Sequence, residues 1–183
     1  ITKPFDIQEL RLRVRNAISR VAQQHMLNAV TELPEGALVE EHLTECIFSE
    51  REWAVLVLSL SRLSEFRELY GFSASDDVLR ALALMIRNTV QETGREEDFI
   101  GHLNAESFLV VTSPAAIKPM RERVESRLQQ SREYFYPVRD RQKVLEGIET
   151  DHLALTSASI DSAAGPFQSV EALLAALGNV AQT

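Results

Sequence analysis

The chain is organised around one stretch, Trp53-Ala54-Val55-Leu56-Val57-Leu58-Ser59-Leu60. A run of mostly apolar residues of this length, rich in Val and Leu, is typical of a strand that is buried on both faces. Such a strand lies in the interior of a sheet, with helices packed above and below it. The stretch therefore predicts the central strand of an α/β protein.

Hydrophobic patterns on either side of this strand predict the other elements. We expect strands at residues 99–103, 107–112 and 155–160, and helices at residues 37–48, 65–70, 76–92 and 120–130. A further apolar helix is expected after the last strand. For residues 131–151 we expect one or two short strands and a loop, in which the cluster Tyr134-Phe135-Tyr136-Pro137 serves packing.

Composition narrows the class of protein. The chain has 183 residues and a formal net charge of −8, which argues against a nucleic-acid surface because phosphate binding needs a basic face. A single cysteine, Cys46, excludes an internal disulfide and a cysteine-based metal cage, and we expect it to be buried on a helix. No apolar run approaches the ~18 residues of a membrane span. These features predict a cytoplasmic signalling module of bacterial type.

The first residues form a separate unit in this interpretation. Apolar residues recur at helical spacing in residues 6–27, and Asp6 is placed to cap a helix that is entered through Pro4. The start of the chain, residues 1–10, resembles the end of a response-regulator receiver domain. Residues 1–27 are therefore expected to be the end of a receiver domain that acts as a helical stalk, and the chain to be a fragment of a longer protein. The apolar seam of the stalk suits docking on that receiver or pairing with a second copy as a homodimer.

Four motifs in the remaining chain occur in the order and spacing of one family. Residues 59–79 resemble D-L-D-x-F-K-x-x-N-D-x-Y-G-H-x-A-G-D-x-x-L, residues 28–34 resemble D-x-L-T-G-L-P, and residues 155–160 resemble T-x-S-I-G-I. The fourth motif, Asn104-Ala105-Glu106-Ser107-Phe108, lies where the family has Gly-Gly-Asp/Glu-Glu-Phe. Residues 28–183 thus resemble a degenerate GGDEF domain, a diguanylate cyclase-like domain. The resemblance implies a central, mainly antiparallel sheet flanked by helices.

The resemblance also implies where catalysis should occur. A diguanylate cyclase joins two GTP molecules and uses two carboxylates to hold divalent ions. The family places one of these carboxylates on its first strand, where this chain has Ser59, and the other in the hairpin, where Glu106 is the one acid that remains. Ser107 replaces a further carboxylate, while Phe108 remains as a core anchor. Asn104 tolerates left-handed backbone but Ala105 does so only at a cost, so we expect the turn to persist and the phosphate site to close.

Guanine recognition is altered in the same way. The family's Asn and Asp that read the base edge correspond to Arg67 and Glu68, and an arginine cannot accept from the N–H groups of guanine. Asp76 is retained, either as a ligand or as the N-cap of a helix. We therefore expect no catalytic residues and no resident metal or cofactor. Mg²⁺ would enter only if the domain were a weakly active cyclase using Glu106.

One binding motif is retained. Arg95-Glu96-Glu97-Asp98 precedes the hairpin at the spacing of the family's R-x-x-D inhibitory site for cyclic di-GMP. Arg123 or Arg127, on the next helix, is the candidate for the additional arginine of that site. The alternative is that Arg95 and Asp98 form a solvated pair of little consequence. Of the four histidines only His102 is adjacent to the hairpin, and it is expected to be structural.

The favoured function is the output domain of a two-component response regulator, within a phosphorelay. It would be a catalytically inactive GGDEF domain that signals by association or by cyclic di-GMP binding. Two alternatives stay open: a weakly active diguanylate cyclase and a purely structural dimerisation module.

Overall fold

A computed structural model of the chain describes residues 26–146 and 152–180. The strands are β1 (Ala54–Ser61), β2 (Phe99–Asn104), β3 (Ser107–Thr112) and β4 (Ala154–Asp161). The helices are α1 (Ala37–Ile47), α2 (Leu63–Tyr70), α3 (Phe72–Thr93), α4 (Pro114–Ser131), α5 (Val138–Glu146) and α6 (Val170–Val180). The four strands form one antiparallel sheet in the order β2-β3-β1-β4. The predicted fold, with β1 in the interior of the sheet, is confirmed.

Alternate residues of β1 point to opposite faces of the sheet and enter two separate cores. Leu56, Leu58 and Leu60 pack under α3 and α4. Val55 packs under α1 and α6 on the other face. The second face is covered only in part, because Val57 is half-buried whereas Val55 is fully buried. This difference leaves the end of β1 near the hairpin accessible on that face.

Residues 131–146 are helical, so the prediction of strands there is wrong. A 3-10 turn, Arg132–Phe135, leads through Pro137 into α5. The Pro137 carbonyl accepts hydrogen bonds from the Asp140 and Arg141 N–H groups, which places Pro137 immediately before the first turn of α5. Packing of the aromatic cluster is confirmed for Tyr136, which is buried edge-on against Phe66 and accepts a hydrogen bond at its hydroxyl from the Leu153 N–H.

Two helices begin earlier than expected. Helix α4 begins at Pro114 rather than at residue 120, again with a proline in its first turn. Helix α3 begins at Phe72, and the residue at its N-cap is Gly71, which has a φ of 88°. Asp76 therefore lies inside the helix, and the N-cap role that was one of its two predicted readings is wrong.

Three other predictions from the sequence concern Cys46, membrane-spanning helices and the N-terminal stalk. Cys46 lies on α1 as predicted but is only half-buried, and burial is the main reason that the pKa of its thiol rises to about 11. Within the described ranges no helix has both the length and the hydropathy to cross a bilayer. The predicted receiver end and stalk helix fall almost entirely on residues 1–25, which lie outside the described residues.

Candidate functional site

The hairpin between β2 and β3 keeps its tight turn. Asn104 pairs with Ser107 across the turn, which consists of Ala105 and Glu106. The Asn104 side-chain oxygen accepts a hydrogen bond from the Glu106 N–H at 3.1 Å, and the Glu106 carbonyl accepts one from the Leu60 N–H at 2.8 Å. Ala105 and Asn104 are not among the positive-φ residues of the described chain. The turn persists, as expected, without left-handed backbone.

Two hydroxyl groups meet at the positions where the family motif has carboxylates. Ser59 on β1 lies opposite Ser107 on β3, and their Oγ atoms are 2.8 Å apart in a hydrogen bond. Ser61, two residues further along β1, donates to the Ala154 carbonyl at 3.2 Å. The hydroxyls of β1 are therefore engaged by neighbouring strands. Phe108 is fully buried beneath the hairpin, so its predicted role as a core anchor is confirmed.

Glu106 supplies the one carboxylate of the hairpin turn. Its Oε1 accepts a hydrogen bond from Ser64 Oγ at 2.9 Å, which links the hairpin to the start of α2. Mg²⁺ prefers carboxylate oxygens in a near-octahedral shell, and neutral serine hydroxyls are weak ligands. No cluster of three or more His, Cys, Asp or Glu residues that could hold a metal occurs in the described part of the chain. The residues present do not fit a two-metal site.

The residues at the guanine-reading positions, Arg67 and Glu68, differ in their contacts and exposure. Arg67 Nε donates to the buried Ser75 Oγ at 3.2 Å, and its guanidinium carbon lies 5.3 Å from the centre of the Phe72 ring. These contacts fix Arg67 at the corner between α2 and α3. Glu68 is exposed and Asp76 is half-buried. The region therefore presents a stacked cation in place of a hydrogen-bond acceptor for guanine.

Arg95 and Asp98 are in contact through the Arg95 backbone rather than as a pair of charged side chains. Asp98 Oδ2 accepts from the Arg95 N–H at 2.9 Å and from Thr112 Oγ1 at 2.8 Å. A side chain at Gly94 would collide with this carboxylate, which explains the glycine there. The Arg95 side chain is 59% exposed, and its guanidinium nitrogen Nη1 lies 3.6 Å from Glu97 Oε1. Asp98 thus fixes the turn into β2, while Arg95 offers its guanidinium to solvent.

Arg123 and Arg127 form a second group on α4. Both contact Glu92 of α3, with N–O distances of 2.7 Å and 2.6 Å respectively. Arg127 also donates to Thr89 Oγ1 at 2.8 Å. The hydrogen bond from Arg127 is the largest cause of the lowered pKa of the Glu92 carboxyl.

These two groups border different cavities. One of about 290 Å³ is lined by Arg95, Asp98 and residues of α1, and another of about 510 Å³ is lined by Arg123, Arg127 and their neighbours on α3 and α4. No hydrogen bond or ion pair between the two groups is found within residues 26–146 and 152–180. Arg95 thus contacts Asp98, whereas Arg123 and Arg127 share Glu92 as their acidic partner.

His102 connects the hairpin to the segment before α1. Its backbone N–H donates to the Pro34 carbonyl at 2.7 Å, and its Nδ1 lies 3.2 Å from Thr31 Oγ1. The ring packs edge-on against Phe108, and burial is the main reason that its pKa is lowered. Its predicted structural role is confirmed. The partner Thr31 was missed, although its position in the first motif marked it as retained.

The whole described domain resembles proteins of one family. The sequence model of the family described as diguanylate cyclase, GGDEF domain, matches residues 8–147. Diguanylate cyclase TpbB of Pseudomonas aeruginosa strain PAO1 is 27% identical over 115 residues, which make up 61% of this chain and 26% of that protein. The matched region thus spans about a quarter of the length of this curated relative.

Solved structures share the fold. The coiled coil and GGDEF domain of DgcB from Caulobacter crescentus, in complex with c-di-GMP, superposes with a TM-score of 0.71 at 12% identity, covering 96% of this chain and 88% of that one. Diguanylate cyclase SiaD from Pseudomonas aeruginosa, in complex with its activator SiaC, has a TM-score of 0.65 at 18% identity, covering 96% and 68%. At these identities the likeness concerns the fold alone.

Proposed function

The chain belongs to the diguanylate cyclase GGDEF-domain family, and from that premise we propose that it is a catalytically inactive member of the family. It would serve as the cytoplasmic output domain of a two-component response regulator and signal by association or by binding cyclic di-GMP. One observation carries this proposal: the hydroxyls of Ser59 and Ser107 are hydrogen-bonded to each other at 2.8 Å where the motif has carboxylates.

The chemistry of GTP condensation supports the loss of activity. Divalent ions in such a site activate the attacking hydroxyl and neutralise the triphosphate, and they need anionic oxygen ligands to stay bound. Ser59 and Ser107 contribute no charge, and each satisfies the other. Glu106 is left as the one acid, and it accepts a hydrogen bond from Ser64. A single carboxylate does not assemble a two-metal centre.

Incubation of the chain with GTP and Mg²⁺ or Mn²⁺, followed by chromatography, tests the proposal. We expect no cyclic di-GMP above a blank without protein. The retained Glu106 carboxylate is the observation that favours the second candidate, a weakly active cyclase. Product that disappears in Glu106→Ala but persists in Ser64→Ala would establish that alternative and end the proposal of an inactive domain.

Cyclic di-GMP binding is supported by the chemistry of Arg95. Its exposed guanidinium can form paired hydrogen bonds with a phosphate or with the O6/N7 edge of guanine. The DgcB domain that shares this fold is itself in complex with c-di-GMP. Arg123 and Arg127 would have to leave Glu92 to take part, which weakens any four-residue site.

Calorimetric titration with cyclic di-GMP decides whether Arg95 binds it. We expect Arg95→Ala to abolish the heat of binding, while Arg80→Ala, which removes another exposed arginine in an ion pair, preserves it. Equal loss in both variants would point to unspecific charge attraction. An absence of heat with the unmodified chain at high micromolar ligand would leave association as the means of signalling.

Association through the stalk is the other part of the proposal. The apolar seam of residues 6–27 is the sequence feature that supports it. In the complete protein, phosphorylation of the receiver would act by changing how this helix docks. Light scattering of the chain against a version that starts at Asn28 tests the idea. Equal particle masses would refute assembly through the stalk, and a larger mass combined with no nucleotide binding would favour the structural dimerisation module.

A further inference from the structure

A cavity of about 440 Å³ lies between the sheet and α6, beside the hairpin. It is bordered by Val57 and Ser59 of β1, Ser107 of β3, Thr156 of β4, and Leu174 and Gly178 of α6. This volume falls within the range of roughly 300–1,000 Å³ that is usual for small-molecule sites. The cavity is separate from those beside Arg95 and beside Arg123.

The floor of the cavity consists of two rows of side chains across the sheet. In the antiparallel register Ser59 lies opposite Ser107 on one side and Thr156 on the other, which makes a row of three hydroxyls. Val57 lies one step along β1, on the same face, opposite Leu109 and Ala158. The floor therefore has a polar end and an apolar end.

The cavity exists because small residues border it and α6 covers only part of this face. Leu173 is fully buried and Leu177 nearly so, whereas Leu174 is only half-buried. A β-carbon added at Gly178 would meet no atom within 4 Å. The space next to Gly178 is therefore large enough to accept a side chain or part of a ligand.

Charge is absent from the lining of this cavity. None of its eleven lining residues, all within the described part of the chain, carries an ionisable side chain. The carboxylate of the neighbouring Glu106 accepts from Ser64 and is not part of the lining. A phosphate would find no cation here and a metal ion no carboxylate, so burying either would be costly.

Hydrogen-bonding capacity is concentrated at the hairpin end. Ser59 and Ser107 share one hydrogen bond between their hydroxyls, so one of the two O–H groups has a hydrogen to donate elsewhere. The Asn104 oxygen accepts from the backbone, and its NH₂ group supplies further donors. This end suits a carbonyl or hydroxyl oxygen, and the apolar end suits a hydrocarbon ring or chain.

We propose that this cavity binds a small, uncharged, largely apolar molecule that carries one carbonyl or hydroxyl group. The inference rests on the proposed loss of catalysis, because Ser59 and Ser107, which line the cavity, stand where the family motif has carboxylates. Binding would take place between the hairpin and α6, and would link these two elements.

Methyl NMR of the 183-residue chain with three probes tests the proposal. The probes are 2-naphthol, naphthalene and 2-naphthyl phosphate, which share a ring system and differ in polarity and charge. We expect 2-naphthol to shift the methyl resonances of Val57 and Leu174 in a saturable way, and naphthalene to do so several-fold more weakly. The phosphate should leave these resonances unchanged at the same concentration. Equal or tighter binding of the phosphate overturns the proposal, as do shifts confined to another region.

Two substitutions on the same helix provide the control. Gly178→Leu should fill the cavity and reduce affinity for 2-naphthol by about tenfold, equivalent to about 1.4 kcal/mol. Ala175→Leu adds the same side chain at an exposed position that does not border the cavity, and should leave affinity unchanged. Unaltered binding in Gly178→Leu contradicts the proposal. If no probe binds and Gly178→Leu instead lowers the particle mass in light scattering, the occupant is a second copy and the proposal is wrong.

The GTP assay separates this inference from the proposed function. Cyclic di-GMP production together with phosphate-probe shifts at Val57 would remove both. Absence of product together with absence of probe binding would remove only the ligand proposal, and the inactive-domain proposal would stand.

Discussion

Two turns of this domain begin with an asparagine whose side chain makes the same local hydrogen bond, yet the two asparagines differ in the number of other hydrogen bonds that they accept. Asn28 Oδ1 accepts from the Val30 N–H at 3.0 Å, and Asn104 Oδ1 accepts from the Glu106 N–H at 3.1 Å. At the first turn the same oxygen also accepts from the Thr31 N–H and hydroxyl. The Asn28 side chain therefore holds the first turn through several hydrogen bonds, whereas Asn104 contributes one to the hairpin, which is also held where Glu106 accepts from Leu60 and Ser64.

The two turns also differ in the backbone conformation at their glycine positions. Glu32 occupies the glycine position of the first motif and has a φ of 56°, so the left-handed conformation is present without the glycine that makes it inexpensive. At the hairpin, Ala105 occupies a glycine position and does not have positive φ. The first turn thus retains a demanding backbone geometry, whereas the hairpin adopts one that its residues tolerate.

Replacing the two asparagines should give the largest difference. Asn28→Ala removes the acceptor of three hydrogen bonds and the donor to Glu35, and should lower the free energy of unfolding by about 2 kcal/mol. Asn104→Ala removes one exposed bond and should cost about 0.5 kcal/mol. Urea denaturation followed by circular dichroism measures both.

Asn28→Asp is the matched control for this pair. It keeps the acceptor oxygens but loses the amide donor to Glu35 and adds a negative charge beside that carboxylate. We expect an intermediate loss of stability. Similar losses for Asn28→Ala and Asn104→Ala would show that the two turns contribute equally, and the contrast drawn here would fail.

Glycine substitutions should have a smaller effect, with opposite signs in the two turns. Glu32→Gly relieves left-handed strain of about 1–2 kcal/mol and adds unfolded-state entropy of about 0.4–1 kcal/mol, which leaves a net gain of about 0.5–1 kcal/mol. Arg87 contacts the Glu32 carbonyl, so that contact survives. Ala105→Gly has no strain to relieve and should lose about 0.5 kcal/mol through entropy alone.

Thermal melting of these two variants checks the signs. A midpoint that falls in Glu32→Gly would mean that the first turn is not strained at this residue. A midpoint that rises in Ala105→Gly would mean that the hairpin strains its alanine after all. Either result would reverse the comparison between the two turns.

Sequence was a better guide to the fold than to the site. Strand β1, the hairpin and the last strand were predictable because their apolar patterns are long and regular. Residues 131–146 were not, because the burial of Tyr136 against Phe66 depends on tertiary packing that no local pattern records. At the site, the loss of acidic residues could be identified directly from the sequence. The hydrogen bond between Ser59 and Ser107 was not, because it depends on strand register.

The separate acidic partners of the two arginine groups could not be predicted from the sequence either. The family resemblance made Arg123 or Arg127 the candidate to join Arg95, but both arginines contact Glu92 on the neighbouring helix. Which acidic residue these arginines contact depends on the packing of α3 against α4. A motif can therefore be present in full while its members serve separate contacts.

The smallest predicted effect concerns His102, which lies between the two turns. Burial is the main reason that its pKa is lowered in the folded chain, and the nearby Glu35 charge opposes that shift only in part. The unfolded chain therefore binds a proton at this residue more readily than the folded chain. By linkage, stability from the neutral ring is present above pH 6.5, the unperturbed value, and is lost as pH falls below it.

Urea unfolding at pH 7.5 and pH 5.5 should show that the free energy of unfolding falls less between these pH values in His102→Gln than in the unmodified chain. This variant will be less stable at both pH values because Thr31 loses its ring partner, so the informative quantity is the difference in slope. Identical slopes would mean that protonation of His102 does not oppose folding, and that the contact between the two turns tolerates a charge.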